Sequence, residues 1–472
     1  MLIPLKLVRD QPLQQQLYEQ LRDLIVSGRL AHGTRMPSTR MLADQFAVSR
    51  ITVLLTYERL AAERYLTTVR AKGTFVSQVT AAPATPPAER GSLTEDGADA
   101  WAGRPDARLF PAGRWRALMR TALDHLGARL NADHTDGDPA LRRAIARWLS
   151  SSRGLLVEQD QIILSAGRQH ALHIVAHMLL RPGVQVAIEQ PCDPRSERLI
   201  TSTGATVIRV PVDHAGVQTD LLPDSPVAMI LVTPEHQRPL GAVMSQQRRQ
   251  ALLAWTERSG ATVVADDIDG ELRYDAMDAT PLMGLDPLGR VIHLGGFALS
   301  LGPGVHLGYL AVPRQMIAAA RAAGRLMDDH SGQLEAAALA ELLDSGGYAR
   351  HLHQLRKSYL GRRDRMVEAL RRRFGAATDI GGASAGLHLV WRPDPDLGHA
   401  STVAVLARRH GLDAAPLGDA TILLGFGVPD EHHIETSVGG LAHALAAANQ
   451  RLPPIPAISL GFSRTAARGA LR

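Results

Sequence analysis

Apolar residues recur at helical spacing near the start of the chain. One face of a predicted helix is formed by Leu13, Leu17, Leu21, Leu24 and Ile25. Two shorter predicted helices follow, with Ser38 and Ser49 as their N-caps and a tight turn at Ala47-Val48 between them. Two short β-prone runs then flank residues 70–73 and predict a hairpin with a basic tip.

The second of the short helices separates its apolar and polar residues onto different faces. Its apolar positions form a predicted core face, whereas Ser49, Arg50 and Thr52 lie in its first turn and are free to face outward. Two helices joined by a tight turn, the second opening with polar and basic residues, are typical of a helix-turn-helix DNA reader with a wing. A three-helix module that binds other proteins is the alternative interpretation.

Charge is concentrated in the same segment. Residues 1–79 hold eleven Lys/Arg and six Asp/Glu, a net charge of +5 that equals the net charge of the whole 472-residue chain. The remainder is therefore near neutral. A basic first segment favours contact with a polyanion, although an uneven solvated surface would produce the same count.

From residue 101 onward, helical patterns alternate with short apolar strands. This alternation predicts an α/β domain with a mainly parallel sheet and helices on both sides, divided into a large and a small subdomain. Residues 80–100 combine Pro, Ala, Gly and acidic residues and are typical of an exposed linker. The predicted organisation is a DNA-binding domain over 1–79, this linker, an α/β domain over 101–452, and a loose basic tail over 453–472.

Residues suited to chemistry follow the predicted strands. A glycine turn at 165–170 precedes a helix, so the backbone amides of Gly167, Arg168 and Gln169 could hold an anion. An acidic cluster after a later strand consists of Asp266, Asp267, Asp269 and Glu271. No His or Cys stands beside these acids in the sequence, which favours ordinary surface acids over a metal site.

The composition indicates the cellular compartment of the protein. The single cysteine, Cys192, excludes an intrachain disulfide and is typical of a reducing compartment. The first ten residues are too polar for a signal peptide, and no apolar run is long enough for a membrane span. We therefore expect a cytoplasmic protein without a membrane partner.

Residues 10–78 resemble the winged helix-turn-helix domain of GntR-type bacterial regulators. The resemblance is carried by QLYEQLRDLIVSGRLAHGTRMPSTRMLADQFAVSRITV, YERLAAERYL and GTFV. It implies that the protein binds double-stranded operator DNA. The residues implied to contact DNA are Arg35, Arg40, Ser49, Arg50, Thr52, Lys72 and Gly73.

The rest of the chain resembles fold type I aminotransferases. The motifs, in order, are GRPDARLFPAGRW, GDPALRRAIARWL, TPEHQRPLG, DDIDGELRY, GPGVHLGYL and AALAELLDSGGYARHLHQLRKSY. Behind a GntR-type domain, they resemble the MocR/GabR subfamily of regulators. The resemblance implies a head-to-tail homodimer, in which each DNA-binding domain reaches across to the partner, and a pyridoxal phosphate (PLP) site between the subunits.

The chain departs from that family where the cofactor would be held. The family has a Ser-Lys pair at the positions of Ala298 and Leu299, and the lysine forms the Schiff base with PLP. Leucine has no amine, so this bond cannot form at position 299. His306 aligns with a phosphate-binding arginine of the family. Ile268 and Asp193 align with aromatic residues that pack the cofactor ring.

One family feature of the cofactor site is retained. Asp266 aligns with the aspartate that pairs with the pyridine nitrogen. The residues of the vestigial cleft are Gly167, Arg168, Gln169, Asp266, Leu299 and His306.

These observations predict a DNA-binding transcription regulator rather than an enzyme. Its aminotransferase-like domain would either sense another, unidentified small molecule or serve as a dimerisation platform, without covalent PLP. A working aminotransferase is one alternative. A regulator that binds PLP non-covalently, through Asp266 and the 165–170 turn, is the other.

Overall fold

The chain folds into two units. The computed structural model describes residues 3–10, 12–69, 72–77, 102–125, 127, 136–275, 280–327 and 332–449. The two units are Met1–Glu95 and Asp96–Arg472, and most contacts are made within each unit. The predicted linker and the predicted tail lie outside the described residues.

The first unit has three helices and a hairpin. Its elements are α1 (Leu13–Val26), α2 (Thr39–Phe46), α3 (Arg50–Ala62), β1 (Leu66–Val69) and β2 (Gly73–Val76). Leu17, Leu21 and Leu60 are fully buried in the core that the helices share with the hairpin. The helical spacing of the apolar residues in α1 therefore predicted its buried face correctly.

Serine caps position the two helices of the helix-turn-helix. The Ser38 hydroxyl accepts a hydrogen bond from the Met41 amide at 3.2 Å, and the Ser49 hydroxyl accepts one from the Thr52 amide at 3.0 Å. Both predicted caps are confirmed. Ala47 ends α2 in the left-handed region, with φ of 51°, which makes the turn between the helices tight.

The second unit alternates helices and strands. Its elements are α4 (Ala112–Asp124), α5 (Pro139–Arg153), β3 (Ile162–Ser165), α6 (Gly167–Leu179), β4 (Gln185–Gln190), α7 (Pro194–Ser202), β5 (Thr206–Asp213), β6 (Gly216–Val217), β7 (Met229–Val232), α8 (Gln246–Ser259), β8 (Thr262–Asp266), β9 (Val291–Gly296), α9 (Ala298–Leu301), β10 (Gly308–Ala311), α10 (Ile317–Met327), α11 (Gln333–Asp344), α12 (Gly347–Phe374), β11 (Asp379–Gly381), β12 (His388–Arg392), α13 (Ala400–Arg409), β13 (Asp413–Leu417), β14 (Thr421–Gly425) and α14 (Glu431–Asn449).

Most of these strands form one large sheet. Its order is β3-β10-β9-β8-β7-β4-β5-β6, in which β5, β4, β7, β8 and β9 run parallel. β7 and β8 are buried along their whole length, which is why they appear in the sequence as continuous apolar runs. The carboxyl ends of the parallel strands share one edge, where ligands bind in sheets of this kind.

A smaller sheet follows the long helix α12. Its order is β11-β12-β14-β13, and every neighbouring pair is antiparallel. Trp391 of β12 is fully buried and packs on Phe374, with ring centroids 4.8 Å apart. The unit thus has the large and small subdomains that the sequence predicted. No helix within the described ranges is long and apolar enough to cross a membrane.

The glycines of segment 295–313 predict a loop in the sequence, but the segment is only partly a loop. β9 continues to Gly296, α9 forms one turn, and β10 returns antiparallel between β9 and β3. The glycines allow close packing. A Cβ atom at Gly295 would overlap the ring of Tyr309, and one at Gly308 would lie 3.0 Å from the backbone of Gly167.

Truncation of a core residue in the small sheet should destabilise the second unit. Leu424 is fully buried in β14, so Leu424→Ala should lower the free energy of unfolding by about 2–5 kcal/mol. Leu156, which is 83% exposed, provides the matched control Leu156→Ala. All five tryptophans lie after residue 100, so tryptophan fluorescence in urea reports on this unit. Equal losses in both variants would contradict the assigned packing.

Candidate functional site

The N-terminus of α3 presents polar and basic groups to solvent. Ser49 and Arg50 are exposed and Thr52 is half-buried. The Ser49 and Thr52 hydroxyls lie 2.8 Å apart, and Arg50 Nε donates to the Thr39 hydroxyl at 3.3 Å. The first contact lies within the first turn of α3, and the second joins that turn to the start of α2. Free amides and a cation at a helix N-terminus suit a phosphate.

The hairpin brings further cations together. Val69 pairs with Gly73, and Arg35 forms a bridge with Phe75 beside the hairpin. Arg35 lies so close to Gly73 that a Cβ atom there would be 3.2 Å from its Nε. Lys72 is exposed, and its amide donates to the Val69 carbonyl at 3.0 Å. The tip residues 70–71 lie outside the described residues.

Arg40 is exposed in the first turn of α2. The structure thus places the predicted DNA-contact residues on the caps and first turns of α2 and α3 and at the hairpin, all within the first unit. Their contact with DNA remains a prediction.

Sequence reasoning missed an apolar component of the same surface. Ile51, Leu54 and Leu55 of α3 are 68%, 45% and 42% exposed. Core packing does not explain these side chains. Apolar side chains on a recognition helix can contact thymine methyl groups. The signal was available in the sequence, because α3 carries more apolar residues than one buried face requires.

In the second unit, a glycine turn connects β3 to α6. Gly167 has φ of +80°, a conformation that favours glycine. The chain enters α6 there, and Arg168 and Gln169 lie in its first turn. The predicted anion-binding amides are therefore at a helix N-terminus, next to β10.

The Arg168 side chain makes a network that the sequence did not reveal. Its Nε lies 2.5 Å from Oδ2 of Asp266, and its two terminal nitrogens lie 3.0 Å from Oδ2 of Asp193 and 2.9 Å from the Ser196 hydroxyl. The side chains are 14%, 1% and 13% exposed for Arg168, Asp266 and Asp193. One guanidinium thus joins the end of β8 to the start of α7.

The charges of this network shift the pKa values of Asp193 and Arg168 toward their ionised forms. Burial alone would raise the pKa of Asp193, but Arg168, the Arg195 amide and charge, and Arg238 together outweigh burial, so the pKa is lowered. Burial alone would lower the pKa of Arg168, but Asp266 and Asp193 outweigh it and the pKa is raised. Oδ1 of Asp266 is buried and has no hydrogen-bond partner among the described residues.

Leu299 and His306 take no part in the hydrogen-bond network of Arg168. Leu299 is half-buried and packs on the main core cluster of the unit. Its neighbour Ser300 bonds the Tyr348 hydroxyl at 2.7 Å. His306 is exposed and is not a partner of Arg168.

The acidic cluster is buried, so its interpretation as ordinary surface acids was wrong. Asp267 pairs with Arg153 at 2.7 Å, and Asp269 pairs with His236 at 2.9 Å and with Arg238 at 3.2 Å. These partners come from segments far away in sequence, which is why the pairing was not predicted. Within the described ranges, no group of His, Cys, Asp and Glu is arranged to hold a metal ion.

Glu271, the last member of the cluster, is held by aromatic donors. It accepts hydrogen bonds from the Trp148 ring nitrogen at 2.9 Å and from the Tyr348 hydroxyl. The cluster therefore ties α5, α12 and the end of β8 together.

These residues do not fit PLP as the aminotransferase family holds it. Position 299 offers no amine, and the aspartate that would meet the pyridine nitrogen is bonded to Arg168. Asp193, at the position of a ring-packing aromatic residue, is bonded to the same guanidinium. The amides at the start of α6 lie at a helix N-terminus, a geometry suited to a phosphate.

Comparison with known proteins agrees with the two units. Residues 13–76 match the family of bacterial regulatory proteins called gntR, and residues 110–414 match aminotransferase classes I and II. A crystal structure of kynurenine aminotransferase from Pyrococcus horikoshii covers 74% of this chain and 90% of its own, with 25% identity and a TM-score of 0.67. Fold and site thus define a winged-helix DNA-binding protein fused to a fold type I aminotransferase domain.

Full-length relatives are transcription regulators. The chain is 34% identical over 404 residues to the "Probable rhizopine catabolism regulatory protein MocR" of Rhizobium meliloti, which covers 81% of this chain and 82% of the relative. It is 32% identical over 454 residues to the pyridoxine biosynthesis transcriptional regulator PdxR of Corynebacterium glutamicum, covering 91% and 95%. The chain belongs to the MocR-type subfamily of GntR transcription regulators.

A buried carboxyl beside the cleft makes stability depend on pH. Glu189, at the end of β4, accepts hydrogen bonds from Thr233 and Gln237 through one oxygen, while its other oxygen has no partner among the described residues. Burial raises its pKa from 4.5 to about 7. The folded state therefore binds this proton more tightly than the unfolded state does.

We expect this contribution of Glu189 to be complete below about pH 4.5 and to be lost as the pH rises through about 7. Relative to Glu189→Gln, the wild type should lose about 3 kcal/mol of unfolding free energy across that range. Urea titrations at pH values on either side would measure it. The exposed Glu257 supplies the control Glu257→Gln, which should show no such trend. A pH-independent difference for Glu189→Gln would contradict the assignment.

Proposed function

We propose that the chain is a sequence-specific operator-binding regulator whose aminotransferase-like unit carries out no transamination. The observation that carries this proposal is the pairing of Arg168 with Asp266, and the sequence adds that Leu299 has no amine. An aminotransferase needs that amine as its nucleophile. The regulator function does not need it.

The first unit supplies the DNA contacts. Arg50 and the capped N-terminus of α3 would enter the major groove, where they meet phosphates and base edges. Arg35, Arg40 and Lys72 would contact the backbone on either side. Thr52 and Ser49 fix the first turn, and Gly73 lets Arg35 approach the hairpin.

The second unit would form a homodimer, as the family resemblance implies, with each DNA-binding domain reaching across to the partner. A dimer presents two recognition helices and so doubles the length of operator that is contacted. The second unit would also serve as the platform for an effector, a small molecule whose identity the altered cleft would determine.

Non-covalent PLP is the second candidate ligand of this unit. The amides of Gly167 and Gln169 at the start of α6 favour it, because they suit a phosphate group. Arg168 opposes it, because the guanidinium already pairs with Oδ2 of Asp266, the residue that a pyridine nitrogen would meet by the family resemblance. We therefore expect no stabilisation of the wild-type protein by PLP.

Arg50→Ala should weaken operator binding by about 1–3 kcal/mol, because it removes a cation from the first turn of the recognition helix. The operator would be obtained by selection from a random DNA pool with the full-length protein, and affinity measured by gel-shift titration. Arg22→Ala is the control, since Arg22 lies on α1 and pairs with its neighbour Asp23 at 2.9 Å. Unchanged affinity in Arg50→Ala, or an equal loss in both variants, would contradict the proposed interface.

Incubation of the wild-type protein with PLP and borohydride should leave position 299 unmodified. Amino acid and oxo acid substrates should give no transamination, because Leu299 cannot form the required imine. Peptide mass spectrometry and a coupled transamination assay measure the two outcomes. Turnover by the purified protein would contradict this part of the proposal.

A further inference from the structure

Arg168 occupies a position that its own helix does not favour. It is the second residue of α6, where the helix dipole stabilises anions rather than cations. Its side chain is only 14% exposed, so water does not compensate. Groups from other elements must therefore stabilise this cation.

Those groups come from two strand ends. Asp266 closes β8, and Asp193 caps α7 after β4. The guanidinium meets Asp266 at 2.5 Å, Asp193 at 3.0 Å and Ser196 at 2.9 Å, so each of its three nitrogens has an oxygen partner. Such a set of contacts is a built site for one planar cation.

The partners of Arg168 coincide with the place of the cofactor ring. By resemblance, Asp266 aligns with the aspartate that pairs with the pyridine nitrogen, and Asp193 aligns with an aromatic residue that packs the ring. We infer that Arg168 is a built-in substitute for the cationic pyridine ring, and that the cleft is a planar-cation site which the chain fills with its own side chain. This inference rests on the proposed function, in which the second unit works without covalent PLP.

Charge explains why such a substitute is needed. A buried carboxylate without a cation is costly, and Asp266 has only one of its two oxygens paired among the described residues. A guanidinium is planar, delocalised and weakly hydrated, so it can replace a protonated heteroaromatic ring between the same carboxylates. The unit thereby keeps its fold when no cofactor supplies the charge.

The inference separates two barriers to PLP. Leu299 removes the covalent anchor, and Arg168 fills the place of the ring. Restoring a lysine at position 299 alone should therefore be insufficient. Removing Arg168 as well should open a site for a planar cation, with PLP as the probe that also carries a phosphate for the amides of α6.

The experiment compares full-length variants after incubation with PLP, borohydride reduction and peptide mass spectrometry. The variants are Leu299→Lys, Leu299→Lys with Arg168→Ser, and Leu299→Lys with Arg153→Ser. Arg153 is the matched control, because it is 11% exposed and pairs with the neighbouring Asp267 at 2.7 Å. Circular dichroism confirms that each variant is folded.

We expect modification at position 299 to be about tenfold or more greater in the Arg168→Ser variant than in the other two. PLP should also raise the midpoint of thermal unfolding of that variant alone. The inference would be overturned if the single variant Leu299→Lys were modified as much as the double variant with Arg168→Ser. It would also be overturned if the two double variants were modified equally. A folded Arg168→Ser variant that is neither modified nor stabilised would overturn it too.

If Arg168→Ser prevents folding, refolding from urea decides instead. PLP should then restore soluble Arg168→Ser protein but not Arg153→Ser protein, and recovery of both or of neither would overturn the inference. The operator titration of wild type and Arg50→Ala contains no PLP. The operator titration therefore tests the proposed regulator function, and the PLP experiments test this inference, so the two can fail independently.

Discussion

The second unit depends on how it neutralises carboxylates buried at the carboxyl edge of its large sheet. Asp266 ends β8, Asp267 and Asp269 follow it directly, and burying such carboxylates without a partner is costly. Arginines and a histidine from other segments meet each one. Arg168 is the member of this set that lies where the aminotransferase family resemblance puts a cofactor ring. The charge balance at this edge therefore links the fold to the proposed loss of cofactor chemistry.

A regulator can lose that chemistry without losing its framework. The large sheet, the small sheet and the glycine contacts around β10 depend on packing, and Leu299 packs against the apolar core. The DNA-binding unit has a separate core around Leu17 and Leu21. The proposed operator contacts all belong to the first unit, and the altered cleft belongs to the second.

Local signals in the sequence predicted local structure well. Ser38 and Ser49 are caps whose partners lie three residues away, and β7 and β8 are apolar runs buried on both faces. Long-range pairing could not be predicted in the same way. Arg168 and Asp266 are 98 residues apart, and the sequence around either residue does not indicate that they pair. The antiparallel strand β10 was missed for a similar reason. The glycine-rich residues before it are typical of a loop, and the contact between Tyr309 and Gly295 that explains the glycines is visible only in the structure.

The central claim is that this protein recognises a specific operator without help from PLP. The most direct measurement is the affinity of the wild-type full-length protein for a selected operator and for a scrambled duplex, each with and without PLP. The account predicts tight binding of the operator alone, strong preference over the scrambled duplex, and the same affinity when PLP is present. Equal binding of both duplexes, or operator binding that requires PLP, would contradict it.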